Sequence, residues 1–194
     1  MRRKHCILVL LLTIIWGPGC GLSTDLIQIT YLPQETPARI KGAEGVGVRV
    51  EVSDLRSNKA EVSKKGDEYE FLAPILAQND VAKALKHAIE SELKRRGFGV
   101  QGADIVVQVE LSKFYNRFRA DNSEAELFMH VQVRKPGDAL LFSSIVRGEG
   151  IESGVGLRSG SNAKKALEAA LRDGVQKLMV DVRFTDALLT AAKR

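Results

Sequence analysis

The chain has 194 residues, 27% of them charged and 44% hydrophobic, a balance that fits a globular protein and argues against a disordered one. Its net charge is +5, from 29 basic and 24 acidic residues. Arg2, Arg3 and Lys4 account for most of that excess and sit in the first few positions, so the rest carries only roughly +2, too little to argue for nucleic acid. No stacking module such as RNP1 is present either, and nucleic acid is excluded as an expected partner.

The basic start (Arg2, Arg3, Lys4, His5) precedes an apolar run from Cys6 to Trp16, which ends at Gly17-Pro18-Gly19-Cys20. A charged start, an apolar stretch of about 7–15 residues and small residues at the cut describe a secretory signal. A membrane anchor needs about 18–20 apolar residues, and this run stops short at a helix-breaking Gly-Pro-Gly. Gly19-Cys20 resembles the bacterial lipobox, although Gly17 stands where that motif usually carries Leu. Cys6 leaves with the signal, so Cys20 is the one cysteine that remains. A lone thiol in an oxidising compartment asks for an explanation, and attachment of lipid to Cys20 supplies one. Two or three acyl chains at ~0.8 kcal/mol per buried methylene hold a protein on a membrane stably. The lipobox resemblance also implies a destination. An Asp after the lipidated Cys favours inner-membrane retention in enterobacterial lipoproteins, and Gly21 is found there instead. The expectation is a lipid anchor in the outer membrane, on its periplasmic face. Residues 1–19 are then the signal peptide, 20–44 a lipidated tether with a short strand, and 45–194 a single domain.

Leu26, Ile27, Ile29 and Tyr31 form the short β-prone run of the tether, before Pro33 and Pro37. Val46, Val48, Val50 and Val52 alternate with Gly47, Arg49, Glu51 and Ser53, the pattern of a strand with one buried face. The polar stretch Ser53–Asp67 reads as a loop or hairpin tip, and Tyr69–Ile75 as a short extended piece ended by Pro74. A helix is predicted from Val81 to Arg96. Asn79 or Asp80 caps it, Val81, Leu85, Ile89 and Leu93 form its apolar stripe, and Lys94, Arg95 and Arg96 complement its C-terminal dipole. Gly97 supplies the C′ residue and Phe98 folds back onto the last turn.

Ile105, Val107, Val109 and Leu111 alternate along a strand that continues toward Phe118. Leu127, Met129, Val131 and Val133 alternate along a second, after the turn Ala120–Ser123. Lys135-Pro136-Gly137-Asp138 is a turn signal that delivers a third strand, Leu140 to about Ile151. Ser161 is the expected cap of a long helix with the stripe Leu167, Leu171, Gly174, Leu178 and Val182, and a short helix follows from Thr185 or Asp186 through Ala192. The order β-β-α-β-β-β-α predicts an α+β fold, a mainly antiparallel sheet with two main helices on one face.

In this order and spacing the chain resembles the YajG family of uncharacterised bacterial lipoproteins. The likeness runs from the lipobox through the Gly45–Asp54 strand with its nearby Arg56, the helix end Glu92-Leu93-Lys94-Arg95-Arg96-Gly97-Phe98, and the strands Ile105–Tyr115 and Glu124–Val133. It continues through Val146-Arg147-Gly148-Glu149-Gly150, the long helix and the amphipathic tail. The resemblance implies an outer-membrane lipoprotein of the cell envelope and brings no catalytic residue.

Chemistry is sparse. His87 lies off the first helical stripe and His130 shares a strand face with Gln132 and Arg134; neither belongs to a His-x-x-x-His or His-x-Glu ligand spacing. No metal or cofactor is expected. Gly150-Ile151-Glu152-Ser153-Gly154 has its serine in the wrong place for a nucleophile elbow. Glu149 and Glu152 serve a glycosidase only if they face each other ~5–9 Å apart across a cleft. The glycine-rich Gly148–Ser161 segment lacks both the G-x-G-x-x-G spacing and a following Gly-Lys-Ser/Thr, so it reads as a mobile recognition loop rather than a nucleotide site. Glu152, Leu157 and Arg158 are its expected partner contacts. Two functions stay open. The first is a non-enzymatic envelope module binding a protein, glycan (peptidoglycan among them) or lipid partner. The second is an envelope hydrolase or small-ligand-binding lipoprotein with a site near the 148–161 loop. Convergence of Arg147, Glu149, Glu152 and Arg158 in one pocket would favour the second.

Overall fold

The computed structural model describes residues 23–33, 37–66, 72–101, 105–135, 137 and 139–190. Cys20 and the signal region lie outside the described residues, as do Pro136, Asp138 and the end of the expected C-terminal helix beyond Thr190. The elements are β1 (Asp25–Ile27), β2 (Val48–Asp54), β3 (Glu61–Lys65), β4 (Ala73–Ala77), α1 (Val81–Arg95), β5 (Ile105–Arg119), β6 (Asn122–Arg134), β7 (Leu140–Glu152), α2 (Gly160–Val180) and α3 (Val182–Thr190). The α+β class holds, with helix α1 and the three long strands where the periodicity places them.

Helix α1 shows how local sequence dictates an element. The Asp80 side chain accepts the N–H of Lys83, closing the N-terminus. At the other end Gly97 adopts φ 103°, its N–H donates to Lys94 O at 3.0 Å and the Phe98 N–H reaches back to Leu93 O at 3.1 Å. This is a Schellman closure, with Phe98 and Leu93 both buried as its apolar contact.

The single sheet of the expectation is in fact two mixed sheets. The larger has the order β2-β5-β6-β7, the smaller β1-β4-β3. Strand β2 runs parallel to β5 from Val48↔Ile105 to Asp54↔Leu111, while β5–β6 and β6–β7 are antiparallel. Past Asp54 the chain leaves the larger sheet, turned by Arg56. That guanidinium is almost wholly buried, pairs with Asp54 at 2.7 Å and donates to Lys59 O at 2.8 Å. Burial alone would raise the Asp54 carboxyl, but the Arg56 bonds outweigh it and hold it below the usual carboxylate range. The stretch expected as a loop then contains β3, an antiparallel partner of β4. Pro74 does not end the extended piece but sits inside β4, opposite Lys64 and before the part that β1 covers, where a missing N–H is tolerated.

The two sheets are joined by side chains. Ser63 Oγ of β3 donates to the Asn116 carbonyl at 3.1 Å, Asn116 Nδ2 donates to Ser63 Oγ at 3.0 Å, and Ser123 Oγ donates to Asn116 Oδ1 at 2.7 Å. All three residues are fully buried, so each polar group needs the partner it has. From Asp25 on, the N-terminal segment is part of the folded body rather than a tether. Strand β1 runs parallel to β4, Ile27 and Ile29 are buried, and Tyr31 donates to Glu92 Oε1 at 2.9 Å.

Helices α1 and α2 cover one face of the larger sheet. Leu85, Ile89 and Leu93 belong to one buried core with Val107, Val109, Leu127, Met129 and Val131, together with Leu167, Leu171 and Leu178. Each such side chain contributes roughly 1.5–3 kcal/mol on burial. Helix α2 approaches β7 through small residues: Ala166, Ala170 and Gly174 lie directly over Gly148 and Gly150. Its cap is Ser159, accepting from the Asn162 N–H, not Ser161, and Val182 leaves the stripe to open α3, which starts earlier than expected. Strand β7 is one edge of the sheet, and α2 guards it. Asp173 accepts the Glu149 N–H at 2.8 Å and Lys177 donates to Arg147 O at 3.2 Å, the two side chains pairing with each other at 2.7 Å.

Candidate functional site

With both long helices on one side, strand alternation turns the other set of side chains outward. A register shift between Leu111 and Lys113 exchanges the faces of β5, so that Lys113, Tyr115, Arg117 and Arg119 join Glu124, Glu126 and Phe128 of β6 and Arg147, Glu149 and Ile151 of β7. All of these except Phe128 line a shallow cleft. Glu126 is its hub, bonded by Lys113 and by Arg147 at 2.6 Å, and Arg147 also meets Glu149 at 2.9 Å. The Lys113 and Arg147 cations both flank the Phe128 ring, 5.3 Å from its centroid. Lys113 first, then Arg147, keeps the Glu126 carboxyl below the usual range. A carboxylate held ionised in this way is a poor general acid. Tyr115, between this cleft and β3, is pushed up to about 12 by burial and by Glu61, whose carboxylate accepts its hydroxyl.

The charged residues around the glycine-rich segment do not converge. Arg147 and Glu149 lie on the open face, Glu152 pairs with Lys165 of α2 at 2.7 Å, and Arg158 donates to Gly66 O at 2.5 Å. Glu149 and Glu152 therefore do not face each other across a cleft. Nor is 148–161 one loop. Strand β7 extends through Glu152, and Gly148 and Gly150 are tight packing positions under α2, which leaves 153–159 as the connection. That connection is pinned by the Val155 N–H, donating to Asp121 O at 2.7 Å, and by Arg158. Leu157 stands exposed between the pins.

His87 is exposed on α1. His130 lies in a chain that the sequence spacing does not reveal, because its members come from three strands. Its Nδ1 is 3.3 Å from Glu110 Oε2 and its Nε2 is 2.8 Å from Ser143 Oγ. With Nδ1–H donating to the carboxylate, Nε2 accepts from the Ser143 hydroxyl, the hydrogen-bond order of a Ser-His-Glu triad. Only cross-strand register could have pointed to it. The chain lies on an exposed part of the sheet, and its residues line none of the clefts described above. No group of three or more metal-binding side chains occurs among the described residues. No helix among them is long and apolar enough to cross a membrane.

The fold is shared with solved structures. A DUF330-family protein of Xanthomonas campestris matches with a TM-score of 0.60 at 9% identity, over 84% of this chain and 96% of that one. An uncharacterised protein matches with a TM-score of 0.53 at 12% identity, over 80% and 96%. At these identities the likeness shows the fold alone. None of the curated proteins matches in sequence. A family model described as "Uncharacterized lipoprotein" matches residues 33–188, most of the described body from the end of the β1 segment to helix α3. The chain thus belongs to that lipoprotein family, the YajG family whose pattern of strands and helices its sequence follows.

Proposed function

We propose that the protein is a lipid-anchored, non-enzymatic module of the cell envelope, held by Cys20 on the periplasmic face of the outer membrane, where it binds a protein, glycan or lipid partner. The observation that carries the binding reading is the open sheet face, where Lys113, Glu126, Arg147 and Glu149 are fixed to one another beside Phe128. A rigid face of paired charges and a half-buried ring suits recognition, since little side-chain freedom remains to be lost on binding. Family membership and the lipobox-like Gly19-Cys20 support the anchor, and the lack of an Asp at position 21 supports the outer membrane as its destination. The test is palmitate labelling and membrane fractionation of the full chain and of Cys20→Ser. Label in the outer-membrane fraction that disappears in the variant is the expected result; label that persists in Cys20→Ser ends the anchoring reading. Crosslinking in envelope fractions, with Arg147→Glu as control, tests the binding face: an adduct unchanged by that variant places binding elsewhere.

The Glu110–His130–Ser143 chain favours a second reading, a hydrolase. Labelling by a fluorophosphonate that Ser143→Ala abolishes would establish it. We expect no such label, because a nucleophile in a paired strand has no converging N–H groups to stabilise an oxyanion.

A further inference from the structure

The point at which the chain enters the fold marks one end of the molecule. Asp25 pairs with Lys65 at 2.5 Å and accepts the N–H of Gly160, the first residue of α2, at 2.7 Å. The same end carries the β5–β6 turn, tied at Asp121 O to Val155, and the end of β3, tied at Gly66 O to Arg158. Between them lies a groove lined by Lys64, Leu72, Arg117, Arg119 and Arg158, with no carboxylate among its described lining residues. Arg117 and Arg158 have no ion-pair partner among the described residues, and Arg119 has only a long contact of 3.6 Å with Glu124. Beside these cations stand Leu72, 58% exposed, and Leu157, 75% exposed. Cations interleaved with exposed leucines match a headgroup region, where the charge meets phosphate and the aliphatic chain enters the acyl boundary.

Four residues lie between Cys20 and Asp25, so the chain takes five steps of at most ~3.3–3.6 Å each, a reach of about 17 Å. The other end of the molecule also exposes apolar side chains, Val180 and Val182. It lies the length of α2 away, about 30 Å at 1.5 Å per residue. A chain anchored through Cys20 therefore holds the Asp25 end close to the bilayer, and the far end only if the whole body lies down. We infer that the groove of Lys64, Arg117 and Arg158, with Leu72 and Leu157, is a bilayer-facing surface that docks on anionic phospholipid headgroups and stands the part of the open sheet face around Lys113, Glu126 and Arg147, farther along the strands, clear of the membrane.

This inference rests on the anchoring reading. Asp67, Glu68 and Glu70 fall between Gly66 and Leu72 and outside the described residues, so the dependence on lipid charge is part of the test. The full lipidated chain, carrying one thiol-reactive fluorophore at Leu157→Cys or Val180→Cys, is reconstituted in vesicles of phosphatidylethanolamine and phosphatidylglycerol that contain a lipid-borne quencher at headgroup depth. Quenching at position 157 should exceed that at 180 by at least about threefold. The excess should shrink when phosphatidylcholine replaces phosphatidylglycerol, and also in Arg117→Glu/Arg158→Glu. Arg117→Gln, which adds no negative charge and breaks no hydrogen bond among the described residues, should lower it in part and guards against a misfolded double variant. Equal quenching at the two positions, or an excess indifferent to both lipid charge and the arginines, overturns the docking surface while leaving the anchor intact. A chain that takes up no palmitate fails earlier, at the anchor, and removes the inference with it.

Discussion

Replacing Gly148 by alanine puts a Cβ 2.2 Å from Ala170 O, 2.7 Å from Gly174 N and 2.9 Å from Gly174 Cα, all main-chain atoms of α2. At Gly150 the new carbon lies 2.1 Å from Ala166 O and 2.5 Å from Ala170 N. Neither glycine has a positive φ, so the obstacle is the helix itself, and the helix has to lift off β7 to clear it. Overpacking costs typically about 1–3 kcal/mol, and a main-chain obstacle belongs at the upper end, about 3 kcal/mol. For a domain of this size that corresponds to a Tm lowered by roughly 6–12 °C. Two controls separate packing from backbone conformation. Gly154 has φ +71° and open space, so Gly154→Ala should cost about 1–2 kcal/mol from the left-handed backbone alone. Gly156 has open space and no such φ, so Gly156→Ala should stay within about 0.5 kcal/mol of the parent. Thermal melts followed by circular dichroism provide the assay, because the single tryptophan, Trp16, lies in the expected signal. If Gly148→Ala melts together with Gly156→Ala, α2 does not rest on β7 as described, and the packing argument fails.

Leu93→Ala, in a fully buried position of α1, should cost about 2–5 kcal/mol in urea unfolding; a change under 1 kcal/mol would contradict the core assignment. The triple variant Glu152→Ala, Leu157→Ala, Arg158→Ala removes one partly exposed ion pair, one exposed leucine and one hydrogen bond, and should leave Tm within about 4 °C of the parent. A drop as large as that of Gly148→Ala would make the 153–159 connection part of the core. Asp25, Asp54, Glu92 and Glu126 are all held below the usual carboxylate range. Their contribution is complete above the unfolded pKa of about 4 and disappears as pH falls through the folded values, so Tm should be level near neutrality and decline below pH ~4. Glu92→Gln should start lower and decline less; an acid slope equal to the parent's would remove Glu92 from the account.

What was legible in the sequence is what neighbours along the chain decide. Helix α1 carries both its caps within its own stretch, and β5, β6 and β7 show their alternation whatever they pair with. The division into two sheets was not legible, because it depends on which distant segment each short strand finds. Asp25 pairs with Ile75 and Val48 with Ile105, and nothing local to either strand names its partner. Strand β3 was hidden by its composition, since Ser63 is buried as a polar residue that reaches Asn116 instead of as an apolar one. The Gly148–Ser161 segment misled for a physical reason: glycine marks flexible turns and also close approach of two backbones, and only the small residues Ala166, Ala170 and Gly174 on α2 reveal the second use. Of the residues expected to meet a partner, Leu157 and Arg158 stand at one end of the molecule while Glu152 is tied to Lys165. The Glu110–His130–Ser143 chain depends on three strands being in register at once.

The Asp173–Lys177 pair on the margin of β7 bears on crowding. Proteins confined to a surface meet one another far more often than the same number free in solution, and they meet in a restricted set of orientations. A thirteen-residue edge strand with Ile145 and Ile151 exposed is a template on which a neighbour's strand could grow. Asp173 occupies the Glu149 N–H and Lys177 the Arg147 carbonyl, so the middle of that template is already taken by the protein's own helix. A neighbour would have to break an ion pair and two hydrogen bonds before it could add a strand there. The helix that completes the core thus also limits self-association, and it does so without a proline in the strand it protects.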